Sequence, residues 1–198
     1  MKKLLQLCGC IDAINHWVGR VVLWLVLLAV AISAFNAIIR KLYDYLPYDI
    51  FRSSNAFLEI QWYLYTAVFM LGAGYTLLHK GHVKIDVIVG RFSLRTRAWI
   101  EIFGLVFFLF PFVLSVIIEI WPTLYNSYVI KEMSENAGGL IRWPVYALIP
   151  AGFALLGLQG VSELIKRVAF LTGDGPDPIS RVEPSVEEGL IEEIGEKA

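Results

Sequence analysis

The stretch VVLWLVLLAVAISAFNAII, residues 21–39, holds 19 residues without a single Asp, Glu, Lys or Arg. As an α-helix it is about 28 Å long, close to the roughly 30 Å thickness of a bilayer's hydrocarbon core. Similar uncharged stretches occupy residues 60–78, 102–118 and 143–162. A backbone in lipid must satisfy its own hydrogen bonds, so all four are predicted to be transmembrane helices. An alternative is that the four stretches are buried helices in the core of a soluble protein. This interpretation is weaker, because each stretch is close to the length that spans a membrane.

The composition of the whole chain agrees with this reading. Of its 198 residues, 57% are hydrophobic and only 18% are charged, whereas soluble domains have about 45–50% apolar and about 25% charged residues. The predicted fold class is therefore all-α: a polytopic membrane protein with four transmembrane helices, an amphipathic interfacial helix at the N-terminus and a disordered acidic tail at the C-terminus.

Residues 1–20 are predicted to form the amphipathic helix. Apolar residues recur there at helical spacing, opposite a polar face, which is typical of a helix lying in the membrane interface. These residues are Leu4, Leu7, Ile11, Ile14 and Val18. The segment is not predicted to be a cleaved signal, because Gln6 interrupts its short apolar run.

The chain is thus divided into an N-terminal segment (residues 1–20), a four-helix membrane domain (residues 21–167) and a tail (residues 168–198). Residues 173–198 contain eight acidic and two basic residues and are rich in Pro and Gly. Such a composition buries too little apolar surface to order itself, so disorder is predicted.

The basic residues predict the orientation in the membrane. Twelve of the seventeen Lys and Arg residues lie in the N-terminal segment, the second connection and the C-terminal segment. The cytoplasmic side of a membrane protein carries the excess of Lys and Arg. Both termini are therefore predicted to be cytoplasmic, with the first and third connections facing the outside.

The predicted spans contain no charged residue, and the nearest acids, Glu59, Glu101, Glu119 and Glu163, are expected at span ends. A self-sufficient ion carrier normally has ionisable groups near the midplane. Small residues recur instead in the second and fourth spans, among them Ala67, Gly72, Gly74, Ala151, Gly152, Gly157 and Gly160. Small residues allow close helix packing, so the pattern favours an accessory or scaffold subunit.

The segment HKGHVKID, residues 79–86, could suggest a metal or haem site. A zinc site needs more ligands than one H-x-x-H pair supplies, and an axial haem histidine lies inside a helix bundle. A helix end with Gly81 as its cap explains the segment better. No metal, no cofactor and no catalytic residues are predicted, so the chain is not expected to be an enzyme.

The ordered motifs resemble those of the small (Q-type) membrane subunit of tripartite ATP-independent periplasmic (TRAP) transporters, over roughly residues 21–167. Glu59 opens the second span, GHVKID lies in the cytoplasmic connection, and KEMSENAGGLIRWPVYALIPAGFALLGLQG runs through the fourth span. The motif or packing positions are Glu59, Gly72, His82, Asp86, Glu132, Ser134, Gly138, Gly139, Trp143, Pro150, Gly152 and Gln159.

This resemblance implies a subunit of a three-part importer in a bacterial inner membrane. Its partners would be a large membrane subunit that carries the substrate and sodium sites, a periplasmic solute-binding protein that captures an organic acid, and membrane lipid, but no nucleic acid. The small subunit would pack on the static scaffold of the large one. The alternatives are the membrane anchor of a redox enzyme and an independent small exporter.

The two outer connections are the parts of the chain that a periplasmic protein could touch. One of them is the segment PTLYNSYVIKEMSENAGGLIR, residues 122–142, and the other is the aromatic first connection around Tyr43, Tyr45, Tyr48 and Phe51. Aromatic residues also favour the membrane interface for lipid reasons alone, so docking of the binding protein and lipid contact both remain open.

Overall fold

A computed structural model of the chain describes residues 2–45, 55–81 and 92–173. Within these ranges the chain is helical, apart from short connections and one isolated antiparallel bridge between Met133 and Ile141. The helices are α1 (Lys2–Tyr45), α2 (Asn55–Leu78), α3 (Leu94–Gly104), a π-helical segment (Leu105–Leu109), α4 (Phe110–Val129) and α5 (Trp143–Leu171). The all-helical prediction is confirmed for the part of the chain that is described.

Helix α5 lies at the centre of the bundle, because α1, α2 and α4 all pack against it. Its small residues make these contacts close. A Cβ atom added to Gly152 would lie 2.4 Å from the carbonyl oxygen of Met70 on α2, and one added to Gly160 would lie 2.7 Å from a methyl carbon of Leu109. Backbones approach this closely only where no side chain separates them.

Three helical stretches are long and apolar enough to cross a membrane: Lys3–Leu42, Leu94–Val129 and Trp143–Leu171. Helix α2 covers the predicted second span and has 24 residues, but it is not among them. Its tyrosines, its threonines and Gln61 dilute the apolar residues and lower its mean hydropathy. The presence of a helix at residues 60–78 agrees with the prediction, while a fourth span remains a prediction.

Helix α1 is continuous through the predicted boundary at residue 20. Its 44 residues correspond to about 66 Å, far more than the hydrocarbon core requires. No proline interrupts it, and Gly19 packs closely against the ring of Tyr75. Residues 2–20 are therefore continuous with the helix that covers the first predicted span, and no helix boundary lies at residue 20. Their position in the interface remains a prediction.

The third predicted span, residues 102–118, is shorter than the observed helix. The chain stays helical through the π-helical segment and α4 to Val129. Glu119 was expected to flank the span, yet it lies ten residues before the end of α4. Pro122 follows within α4 without ending it, since neighbouring groups in membrane helices can satisfy the carbonyl that a proline frees.

Candidate functional site

The first polar site lies at the end of the bundle where α2 and α5 begin, and we call it the outer site. Glu59, in the first two turns of α2, is only 2% exposed. The hydroxyl of Ser134 donates to its Oε1, as does Nδ2 of Asn136 at 2.9 Å. The backbone N–H of Leu140 donates to its Oε2 at 2.5 Å. The buried carboxylate is thus satisfied by neutral donors from a single loop.

That loop, residues 130–142, folds back on itself so that its donors converge. The N–H of Ser134 donates to the carbonyl of Leu140, and the N–H of Arg142 donates to that of Glu132, both at 2.9 Å. Gly138 has a φ of 74°, in the left-handed region that favours glycine. A Cβ atom on Gly139 would lie 2.6 Å from Cβ of Ser134. Both glycines are therefore required by this backbone.

Two further side chains of α2 bind the same loop. Nδ2 of Asn55 donates to the carbonyl of Ala137 at 3.0 Å, and the hydroxyl of Tyr63 donates to that of Ile141 at 2.9 Å. Both acceptors are backbone carbonyl groups, so these hydrogen bonds fix the backbone of the loop and do not depend on the identity of its side chains. The loop is anchored on α2 from Asn55 to Tyr63, about two turns of helix.

The donors around Glu59 also change its acidity. The N–H of Leu140 contributes most, followed by Ser134 and Asn136, and together they lower the pKa of Glu59 below its ordinary value of 4.5. Hydrogen bonds that favour the charged form always act in this direction. Glu59 is therefore an ionised anchor for the loop and is not suited to donating a proton.

The second polar site lies at the opposite end, where α1 packs on the C-terminal half of α5, and we call it the inner cluster. At its centre is Gln159, which is fully buried. Its Oε1 accepts from Nδ2 of Asn15 at 2.8 Å, and its Nε2 donates to Asp12 at 3.0 Å. The hydroxyl of Ser162 also donates to Asp12, at 2.8 Å.

Ion pairs extend the inner cluster to a third helix. Nζ of Lys166 lies 2.7 Å from Asp12 and 2.9 Å from Glu163. Arg167 contacts Glu163 at 2.6 Å and Glu101 of α3 at 2.5 Å. The side chains of Glu163 and Arg167 are each only 5% exposed. Three carboxylates and two cations therefore join α1, α3 and α5.

The structure brings five of the predicted positions together at the outer site: Glu59, Glu132, Ser134, Gly138 and Gly139. Trp143 begins α5 next to them, and its ring meets that of Tyr128 edge to face, with ring centroids 5.4 Å apart.

The other predicted positions lie apart from that group. Gly152 contacts α2, Pro150 lies inside α5, and Gln159 belongs to the inner cluster. Gly72 is loosely packed, because a Cβ there would lie 3.8 Å from Val22, an ordinary contact. The predicted positions His82 and Asp86 are outside the described residues.

Most of the inner cluster was missed by sequence reasoning. Asp12 falls on the polar face of the helix predicted for residues 1–20, which indicates no buried partner, and Glu163 was expected at a span end. A signal was available: Gln159, Glu163 and Arg167 follow each other at four-residue intervals, which places them on one face of α5. The partners on α1 and α3 are too distant in sequence for any spacing rule to identify.

Neither site is built to hold a metal. Within residues 2–45, 55–81 and 92–173, no three His, Cys, Asp or Glu side chains are grouped so that they could bind an ion. The carboxylates are engaged instead with donors and cations of the chain itself. The chemistry that the two sites support is the joining of helices and loops.

The fold and both sites can now be compared with known families. The family model described as "Tripartite ATP-independent periplasmic transporters, DctQ component" matches residues 50–170, more than half of the chain. The chain belongs to the DctQ family. This family is a component of transporters and not a family of enzymes. No curated protein and no solved structure matches the chain.

Membership in the DctQ family identifies the chain as part of a tripartite transporter, whose other parts are a large membrane subunit and a binding protein. The matched residues include the whole outer site and all of α5 except its last residue, Leu171. They do not include α1, which supplies Asp12 and Asn15 to the inner cluster.

Proposed function

We propose that this DctQ-family chain is a static support for the large membrane subunit of its transporter. In this role it takes part in sodium-coupled, binding-protein-dependent uptake of an organic acid without contributing a substrate or sodium ligand. Sodium coupling and the organic acid are what the resemblance to TRAP transporters implies. The scaffolding role is the part that the geometry of the chain supports.

The observation that carries the scaffolding role is that α5 is held at both ends. Near Trp143, the preceding loop is bound to Glu59 of α2. Near the other end, Arg167 and Lys166 are paired with acids of α1 and α3. Elements that move during transport make contacts that break easily. A central helix anchored at both ends suits a support.

The proposal includes a topology of four spans with both termini in the cytoplasm of a bacterial cell. The excess of basic residues on one side supports it. The directions of the helices also support this topology. The short loop at the outer site joins α4 to α5, so these two helices run in opposite directions. In this topology the outer site faces the periplasm.

We also propose that the loop of residues 130–142 touches the binding protein. Lys131, Glu135 and Asn136 are exposed on it, while its backbone is held by Glu59. A loop with a fixed backbone and exposed polar side chains offers a preorganised surface, which lowers the entropic cost of binding. Tyr48 and Phe51 of the first outer connection lie outside the described residues.

Reconstitution into proteoliposomes tests the proposed function. Uptake of an organic acid down a sodium gradient should require this chain, the large subunit and the binding protein together. Exchanging Glu135→Lys should raise the binding-protein concentration needed for half-maximal uptake, with complex assembly unchanged. Gln159→Leu should lower the amount of assembled complex but leave the sodium dependence per complex unchanged.

Two results would contradict the scaffolding role. One is uptake by the large subunit and binding protein at full rate without this chain. The other is a shifted sodium dependence in the Gln159→Leu complex after correction for the amount assembled, because that shift would indicate an ion ligand in this chain. A haem absorption band in the purified chain would instead favour the redox-anchor alternative.

A further inference from the structure

Glu119 is exposed on the surface of α4. Among the described residues it has no hydrogen-bond or ion-pair partner, in contrast to the buried acids at the two ends of the bundle. Apolar side chains surround it on the same helix, including Ile118 and Trp121, which are themselves exposed. It is thus a carboxylate on an otherwise apolar outer surface.

The depth of Glu119 can be read from the contacts of its helix. At one end Tyr128 meets Trp143, and at the other Glu101 binds Arg167. Counted along the helix at about 1.5 Å per residue, Glu119 is about 14 Å from the first level and about 27 Å from the second. With a bilayer centred between these two levels, Glu119 lies about 7 Å from its midplane, well inside a hydrocarbon core of roughly 30 Å.

Glu119 belongs to a line of residues along one face of α4, which we call the α4 seam. The seam consists of Pro111, Ser115, Glu119, Pro122 and Asn126. They follow each other at intervals of four, four, three and four residues, the spacing at which residues share one face of a helix. All five are exposed. Small and polar residues of this kind are enriched where membrane helices meet, not where they face lipid.

The charge of Glu119 identifies the kind of partner. A carboxylate at this depth needs a cation or several donors, and lipid tails supply neither. A second copy of this chain would bring two Glu119 carboxylates together, and like charges repel strongly in a low dielectric. A soluble binding protein does not reach this depth. The remaining occupant is a membrane-embedded partner with a basic or hydrogen-bond-donating side chain.

We propose that the α4 seam is the surface on which the large membrane subunit packs, with a donor or cation of one of its helices bound to Glu119. This inference rests on the proposed function, and it adds to it the face of the chain that is used and the chemistry of the contact. The bulk of the contact is helix packing beside Ser115 and the other small or polar residues of the seam. Glu119 sets the register of the two helices.

Co-purification with the large subunit tests the proposal. Ser115→Trp inserts a bulky side chain into the seam, and Glu119→Leu leaves the partner's donor unpaired. Each should lower the recovery of the large subunit by about tenfold or more. Leu114→Trp is the matched control, because Leu114 is also exposed on α4 but lies about 100° around the helix from Ser115. It should leave recovery unchanged.

Two measurements separate a lost contact from a lost fold. The thermal unfolding of the isolated Ser115→Trp chain should match that of the unsubstituted chain, since Ser115 is exposed in the isolated chain. A photo-crosslinking residue placed at Phe108, which is exposed about one turn before Pro111, should form an adduct with the large subunit. The same residue at Leu114 should not.

Several outcomes would contradict the proposal that the large subunit packs on the α4 seam. They are full recovery of the large subunit by both seam variants, an adduct from Phe108 only with a second copy of the chain, and an adduct only with lipid. If the seam variants support uptake and co-purify with the large subunit as well as the unsubstituted chain does, the seam proposal is contradicted but the scaffolding role is not. If the unsubstituted chain itself does not co-purify with the large subunit, both the seam proposal and the scaffolding role are contradicted.

Discussion

The outer site and the inner cluster hold opposite ends of the same helix by different means. At the outer site one carboxylate accepts hydrogen bonds from neutral donors of one short loop. In the inner cluster three carboxylates and two cations come from three helices. The outer site therefore shapes a loop, whereas the inner cluster joins helices and depends on a balance of buried charge. Removing one member should affect the two sites very differently.

The largest effect is expected at the inner cluster. Arg167→Leu leaves Glu163 buried without its closest cation and removes the link to Glu101. Breaking a buried ion pair by removing one partner typically costs about 3–5 kcal/mol, so the purified chain should unfold at a clearly lower temperature. Arg167→Lys keeps the positive charge but cannot contact both Glu163 and Glu101 in the same way. Its unfolding temperature should therefore lie between those of the unsubstituted chain and Arg167→Leu. A loss below about 1 kcal/mol, as for an exposed pair, would contradict the buried-charge description.

A smaller effect is expected midway between the two sites, where α2 and α5 touch. In Gly152→Ala the added methyl would lie 2.4 Å from the carbonyl oxygen of Met70, so the helices must separate. Overpacking of this kind costs about 1–3 kcal/mol. Gly72→Ala is the matched control on α2, since its methyl would lie 3.8 Å from Val22 and should be neutral or stabilising. Equal thermal shifts for the two variants would show that the contact at Gly152 is not tight.

At the outer site, Glu59→Ala should release the loop while leaving most of the bundle folded. The loop carries Lys131 and Arg142, so its release should accelerate cleavage by trypsin at these positions. Glu135→Ala is the control, because Glu135 lies on the same loop but is exposed and does not bind the loop to α2. Cleavage that is equally slow in Glu59→Ala and Glu135→Ala would mean that the loop does not depend on Glu59.

The outer site should also respond to acid through a single group. The pKa of Glu59 is lowered in the folded chain, so its carboxylate stabilises the loop above the ordinary pKa of 4.5. That contribution is lost as the pH falls through the lowered value. Amide exchange at Leu140 should rise as the pH falls below 4.5 and through the lowered pKa of Glu59, beyond the intrinsic change, and the rise should be absent in Glu59→Gln. An identical pH profile in Glu59→Gln would contradict this assignment.

Single cysteines that mark the two ends of the bundle test the orientation of the chain. Ser93→Cys lies before α3 and Glu135→Cys lies on the outer loop, both exposed. A Cys10→Ser background is needed, because Cys10 is exposed while Cys8 is buried. A membrane-impermeant reagent should label Glu135→Cys in intact cells and Ser93→Cys only after lysis. The reverse pattern would invert the proposed topology.

Much of the fold could be predicted because it depends on properties local to the chain. Long uncharged apolar runs predict helices wherever they occur, and the positions of α2, α4 and α5 follow from them. The ends of helices were less predictable. Glu119 looked like a boundary because charge is rare within spans, yet nothing near it ends a helix. Residues 1–20 looked separate because of their polar face, although no residue breaks the helix at Arg20.

The sequence by itself thus determined the class of the chain, its helices and its membership in the DctQ family, which all rest on order and composition along the chain. Only the tertiary structure decided which polar groups meet. Glu59 binds the N–H of Leu140, 81 positions away, and Asp12 binds Lys166, 154 positions away. The physical reason is that such contacts depend on how the helices lie against α5. That arrangement is set by the close contact at Gly152 and by the need to pair every buried charge, and neither is a property of any one segment.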